Sequence, residues 1–203
     1  MNNDSRTATA GTANLLPYDG EVYYHGRILP PEKAAHYLEK LLTGIEWKND
    51  EAIIFGRHII TKRKAAWYGD KPFSYTYSGT TKNALPWSSE LQELKMLTER
   101  FCGHQFNSCL LNLYHNGDEG MAWHSDDEKS LGKDSPIASL SLGAERKFVL
   151  RHRQSKEPVS LTLENGSLLL MQGTTQTYWL HALPKTKKVQ NPRVNCTFRF
   201  MLD

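Results

Sequence analysis

The sequence predicts an α+β, mainly β domain: a sandwich or barrel of antiparallel strands supported by helices that come first in the chain. Three observations predict it. Two stretches before Gly103 hold apolar residues at helical spacing. From Phe106 onward the chain breaks into short β-type runs divided by Gly, Asn and Pro. Its 203 residues, 39% of them hydrophobic, are enough for one ordinary core without staples.

The N-terminal stretch MNNDSRTATAGTANLLPYDG is polar and lacks the basic-then-apolar order of a secretory signal. Residues 1–20 are therefore expected as a disordered lead-in to a single domain over 21–203. In PEKAAHYLEKLLTGIEW, Ala34, Tyr37, Leu38, Leu41 and Leu42 recur at helical spacing, with Pro31 suited to the first turn and Gly44 to the end. A second helix is expected in SSELQELKMLTERFCG, opened by a serine cap, with Leu91, Leu94, Leu97 and Phe101 on one face and a stop at Gly103. Strands are expected in NSCLLNLY, IASLSLG, RKFVLRHR, VSLTLENGSLLLMQG, YWLHAL and NCTFRFML.

Composition narrows the class. The net charge of +3 permits a polyanionic partner without demanding one. Cys102, Cys109 and Cys196 are an odd number without a CxxC pair, which argues against a disulfide framework or a zinc knuckle and for a reducing, intracellular setting. No apolar run is long enough to cross a bilayer, so a soluble monomer without membrane contact is expected.

The densest chemistry lies in NLYHNGDEGMAWHSDDE. Within it His124 and Asp126 stand two apart, which on an extended backbone sends both side chains to the same side. A further imidazole, His181, arrives in YWLHALP near the end of another expected strand. Two histidines and one carboxylate form the triad that non-haem Fe(II) oxygenases use, with positions left open for a co-substrate and dioxygen. The same set also suits a hydrolytic zinc centre. An HxD pair alone is equally what an exposed turn carries, so the triad needs independent support.

The C-terminal strand supplies it. In RVNCTFRF, Arg193, Asn195, Thr197 and Arg199 share one face, while Val194, Cys196, Phe198 and Phe200 take the other. Two arginines on the inner face of a barrel strand are costly unless an anion neutralises them. A small dicarboxylate would do so, because guanidinium forks match carboxylates. Asn112 and Tyr114, also two apart, can complete such a pocket as neutral donors.

The ordered series NLY (112–114), HSD (124–126), His181 and RVNCTFR (193–199) resembles the AlkB family of Fe(II)/2-oxoglutarate dioxygenases, over about Ile53 to Phe200. The motifs WYGD, YTYSG, WHSDDE, SPIASLSLGA and GSLLLM resemble most the branch of the animal DNA and RNA dealkylases. The resemblance implies a double-stranded β-helix, or jelly-roll, core with supporting N-terminal helices. It implies iron ligation and catalysis by His124, Asp126 and His181, and 2-oxoglutarate binding by Asn112, Tyr114, Arg193, Asn195, Thr197 and Arg199. Arg193 and Arg199 would counter the two carboxylates of the keto acid, Arg193 the distal one. The implied reaction is oxidative demethylation, with Fe(II), 2-oxoglutarate and O2, of bases such as 1-methyladenine and 3-methylcytosine in DNA or RNA, in the cytoplasm or at the nucleoid.

A methylated Watson–Crick edge is hidden in a duplex, so the base must be flipped out or met in a single strand. The segment over about 53–80 has the composition for that, with Arg57, Lys62, Arg63 and Lys64 for phosphates among Trp67, Tyr68, Tyr75 and Tyr77 for stacking. A lysine-rich edge strand followed by core aromatics would read the same way. By resemblance, Phe55 and Gly56 lie on the loop that probes the stack, Tyr75, Thr76 and Tyr77 border the flipped base, and Asp127 contacts it. Further cations at Arg146, Lys147, Arg151 and Arg153, and in PKTKK (184–188), extend the track or keep the protein soluble. Two other readings stay open at this level: the same oxidative machinery aimed at a protein or small molecule, and a non-catalytic jelly roll that binds nucleic acid.

Overall fold

A computed structural model of the chain describes residues 13–54, 57–77 and 80–202, with the side chains of 52–54, 57–59, 75–77 and 80–82 outside that description. In chain order the elements are β1 (Glu21–Arg27), α1 (Pro31–Gly44), β2 (Lys48–Ile54), β3 (Arg57–Gly69), β4 (Ser74–Tyr77), β5 (Thr80–Asn83), β6 (Leu85–Pro86) and α2 (Ser89–Cys102). There follow β7 (Ser108–Tyr114), β8 (Met121–His124), β9 (Ile137–Gly143), β10 (Arg146–His152), β11 (Pro158–Leu163) and β12 (Ser167–Gln172). A short helix, α3 (Thr175–Tyr178), leads into β13 (Trp179–Leu183), and β14 (Arg193–Arg199) closes the chain.

Both expected helices form. Pro31 opens α1, and the Ser88 hydroxyl accepts the Leu91 N–H at 3.3 Å to cap α2. Gly103 ends α2 in the left-handed conformation, at φ 70°, where a side chain would be strained. The buried stripe of α2 is Leu91, Leu94 and Thr98, and Phe101, expected on that stripe, is 45% exposed. By angle Phe101 lies between Leu94 and Leu97, but it stands in the last turn of α2, one residue before the helix ends at Cys102.

The major sheet runs β1-β12-β9-β14-β7-β3-β2, antiparallel throughout, with β6 added parallel to β3. The minor sheet runs β11-β10-β13-β8, and β4 pairs with β5 as a separate hairpin. Strand alternation then gives the major sheet two unlike faces. One bears Leu111, Leu140, Leu168, Val194 and Phe198, fully buried against Leu41, Leu91 and Leu94 of the helices. The other faces the minor sheet, where Ile137, Leu169 and Met171 cluster with Leu150, Leu163, Trp179 and Leu183. This is the expected jelly roll: two antiparallel sheets enclosing a core, with helices backing one of them.

Three departures are local. Phe200, expected on the apolar face of the last strand, is 42% exposed because β14 ends at Arg199 and the alternation ends with it. Of the lead-in expected over 1–20, residues 13–20 lie along the surface and are tied to the domain: Leu16 is buried, the Asn14 side chain accepts the N–H groups of Leu16 and Val22, and the Trp179 indole N–H donates to the Tyr18 carbonyl. Arg146 is no surface cation. It is 2% exposed and donates to the carbonyls of Asn116, Glu119 and Pro184, satisfying backbone groups at the end of the barrel that no strand partner reaches.

Candidate metal centre

Strand pairing assembles the triad. The β8–β13 register sets His124 opposite His181, with ring centroids 4.2 Å apart, and Asp126 follows two residues beyond His124. One ligand atom from each of the three lies within 4.8 Å of the others. His124 Nδ1 sits 2.8 Å from the Ala122 carbonyl, which can only accept, so Nδ1 carries a proton and Nε2, 3.8 Å from Asp126, is the atom placed to be a ligand. Burial drives the His181 pKa down to about 4 against the pull of Asp126, so that imidazole is neutral, as a ligand must be. Burial works against the Asp126 carboxylate too. Arg199, its Nη2 3.0 Å from Oδ1, with His181 and His124, outweighs that and holds the carboxyl below its ordinary range.

Arg199, Asp126, His124 and His181 line a cavity of about 540 Å³ between the sheets. Its floor is polar because three neighbouring strands turn the same face to it: Asn195 pairs with Asn112 on one side and Ser141 on the other, Thr197 with Ser139, and Arg193 with Tyr114. Arg193 is 2% exposed. It donates to Ser141 Oγ at 2.9 Å and Asn195 Oδ1 at 2.7 Å, and its guanidinium carbon stands 5.5 Å from the Tyr114 ring centroid. Its Nε has no partner and, among the described residues, no carboxylate pairs with it. Burial lowers its pKa to about 10, which still leaves it charged at neutral pH. A buried cation in this state fits a site that receives an anion. The donor set beside it, two imidazoles and a carboxylate, fits an octahedral ferrous ion with positions to spare.

The substrate-side residues divide. Trp67 lines the same cavity and stacks on Phe73, with centroids 6.3 Å apart. Asp127 stands at its mouth, largely exposed, its carboxylate 3.9 Å from Arg153. Arg63 lines the cavity, but its guanidinium is engaged by Asp50 and by the Gly120 carbonyl, so it acts as a tie from β3 to β2 and to the approach to β8. Tyr68, expected among the stacking aromatics, is 5% exposed on the helix-facing side, where its hydroxyl accepts the Glu46 N–H at 3.3 Å. The strand period explains this: a neighbour of Trp67 must face the other way. Arg57, Tyr75, Thr76 and Tyr77 lie in β3 and β4, but their side chains, like Phe55 and Gly56 as a whole, lie outside the described residues.

Three polar residues of the site escaped the sequence reading. Ser139 and Ser141 interrupt the apolar run IASLSLG at alternate positions, a signal that was there to use. Gln176 gave none. Its side-chain oxygen accepts the Asp126 N–H at 2.9 Å and its amide nitrogen reaches Met171 Sδ at 3.7 Å, fixing the ligand loop to the segment that leads to His181. Gln176→Leu leaves that N–H buried and unpaired, a cost of about 1–3 kcal/mol. Calorimetric titration with Mn(II) is expected to show roughly tenfold weaker binding in Gln176→Leu. Gln176→Glu, which keeps an acceptor, retains most of the affinity.

With the two-sheet fold and the triad in place, the class is defined: the chain belongs to the 2OG-Fe(II) oxygenase superfamily, whose family model matches residues 21–199. Within it, the similar proteins are of AlkB type. The chain is 41% identical over 179 residues to the DNA oxidative demethylase ALKBH2 of Homo sapiens, covering 84% of this chain and 66% of that one. It is 42% identical over 181 residues to the alpha-ketoglutarate-dependent dioxygenase alkB homolog 3 of Homo sapiens, covering 83% and 62%. It is 32% identical over 214 residues to ALKBH2 of Arabidopsis thaliana, covering 92% and 68%. The chain thus spans about two thirds or less of the length of the mammalian relatives it matches. The solved structure of OsALKBH1 shares the fold, with a TM-score of 0.64 at 14% identity over 91% of this chain and 98% of that one. The cofactors this family implies are Fe(II), 2-oxoglutarate and O2, so the choice left open between ferrous iron and hydrolytic zinc falls to iron.

Proposed function

We propose that this chain is an oxidative nucleic-acid demethylase that removes N-methyl groups from bases such as 1-methyladenine and 3-methylcytosine. The observation that carries the reading is the single cavity joining His124, Asp126 and His181 to the unpaired Arg193 and to Trp67. Its volume lies within the usual range for small-ligand sites, about 300–1,000 Å³. The relatives named DNA oxidative demethylase support the substrate class.

In this reading His124, Asp126 and His181 hold the iron, and Arg199 keeps Asp126 ionised and aimed. Arg193, steadied by Ser141 and Asn195, takes the distal carboxylate of 2-oxoglutarate, and Asn112 and Tyr114 complete the pocket. With metal and keto acid bound, the centre supplies an oxidation in which 2-oxoglutarate and O2 become succinate and CO2 while one oxygen atom enters a C–H bond held nearby. On the ring N–CH3 of these cationic bases that gives N–CH2OH, which loses formaldehyde and a proton and leaves the ring nitrogen unsubstituted, with its lone pair restored. The remaining work of the chain is orientation and dryness. Trp67 stacks the base, Asp127 accepts from its exocyclic amino group, and Leu131, Phe148 and Leu163 line an apolar wall. The protein acts as a monomer inside the cell, and no described helix is long and apolar enough to cross a membrane.

Mass analysis of matched methylated DNA and RNA strands, incubated with protein, Fe(II), 2-oxoglutarate and ascorbate, tests this. Loss of methyl with equal yields of succinate and formaldehyde is expected. If no strand is demethylated and none stimulates keto-acid turnover, a protein or small-molecule substrate takes its place.

A further inference from the structure

We infer that the outer face of the minor sheet, centred on Trp123 and Arg151, is a stacking and phosphate-binding platform for the single strand that flanks the base in the cavity. The inference rests on the nucleic-acid reading above and adds a surface that the cavity does not include.

The placement follows from the strands. β8 is the edge of the minor sheet, and Trp123 directly precedes the inward His124, so alternation throws the indole outward beside the cavity mouth. There it is 39% exposed. Arg151, outward on β10, places its guanidinium carbon 4.1 Å from the indole centroid. That contact stiffens the ring and sets a cation next to a π-face, the pairing that strand-binding proteins present to a base and its phosphate.

Charge points to the same occupant. The outward positions of β10 are Lys147, Val149 and Arg151, those of β13 Leu180 and Ala182, and those of β11 Pro158, Ser160 and Thr162. None is a carboxylate. Beyond β10, Arg153 donates to Ser125 Oγ at 2.7 Å and stands 3.9 Å from the Asp127 carboxylate, which joins the face to the cavity mouth. A polyanion with planar groups matches a face that is cationic and aromatic and whose outward positions on β10, β11 and β13 carry no acid. An acidic peptide would satisfy the cations but has no systematic use for the indole.

The test compares Trp123→Ala and Arg151→Ala with the native protein on a long methylated single strand, on a methylated trinucleotide, and in anisotropy binding to the long strand without methyl. Either variant is expected to weaken binding of the long strand and raise its KM roughly tenfold. Turnover of the trinucleotide and Mn(II) affinity stay unchanged. Arg151→Ala also lowers the slope of log affinity against log salt by about 0.7, whereas Trp123→Phe keeps most of the affinity. Unchanged anisotropy in both alanine variants overturns the platform, whether or not the enzyme is active. Equal losses on the trinucleotide or in Mn(II) affinity also overturn it, because they show damage to the adjoining His124. If native protein demethylates neither strand, the proposed function fails, and the anisotropy comparison still decides the platform.

Discussion

Arg193→Met is expected to weaken 2-oxoglutarate binding at least a hundredfold while leaving the protein without the keto acid about as stable as the native one. Arg193 is buried, charged at neutral pH, unpartnered at Nε and without a carboxylate among the described residues. Breaking a buried charge pair costs about 3–5 kcal/mol, so affinity for the keto acid should fall at least a hundredfold. The opposite holds without ligand, since replacing a buried ion by an apolar side chain of similar volume is often neutral or stabilising. The lost hydrogen bonds to Ser141 and Asn195 offset part of that gain. Thermal scans check both halves. Native protein at a hundredfold excess of 2-oxoglutarate over its Kd gains about 2.7 kcal/mol, and Arg193→Met should gain no more than about 0.4 kcal/mol. Equal gains in the two proteins would remove Arg193 as the anchor. Arg193→Lys, which keeps the charge but not the fork, should fall between.

Asp126→Ala and His181→Ala should both lose metal binding and turnover by at least two orders of magnitude, yet differ in what they do to the metal-free protein. Removing Asp126 leaves Arg199 buried and short of its 3.0 Å partner, with Glu128 at 3.9 Å a poor substitute, and should destabilise by about 3–5 kcal/mol. His181 is neutral, with its pKa lowered to about 4, so its loss orphans no charge. It costs mainly packing against Phe148 and His124. Urea unfolding in chelator separates the two. The sign of the pH dependence follows from the depressed Asp126 carboxyl: its contribution is present above the ordinary carboxylate range and is lost as pH falls through the lowered folded value. Asp126→Ala should therefore lose less stability on acidification than native protein. Identical acid transitions would contradict the Arg199 pairing.

Much of the site was legible in the chain because alternation is a local property. His124 and Asp126 two apart, and Arg193, Asn195, Thr197 and Arg199 at every second position, declare a shared face before any partner is known. The helices were legible for the same reason, down to the cap at Ser88 and the stop at Gly103. The surface cations and aromatics were not. Arg63, Arg146 and Tyr68 looked available for phosphates and bases, but whether a polar side chain meets solvent or a buried carbonyl depends on what the rest of the chain brings beside it.

By itself, then, the sequence determined which side chains share a face, where the helices begin and end, and that two arginines would lie on the inner face of the last strand. Only the tertiary structure decided that His181 stands opposite His124, that Gln176 holds Asp126, that Ser139 and Ser141 join the pocket floor, and that Trp123 meets Arg151 outside it. The physical reason is range. Strand period and helix caps act over a few residues, whereas these meetings depend on the register of strands far apart in the chain, which the packed sheets select together.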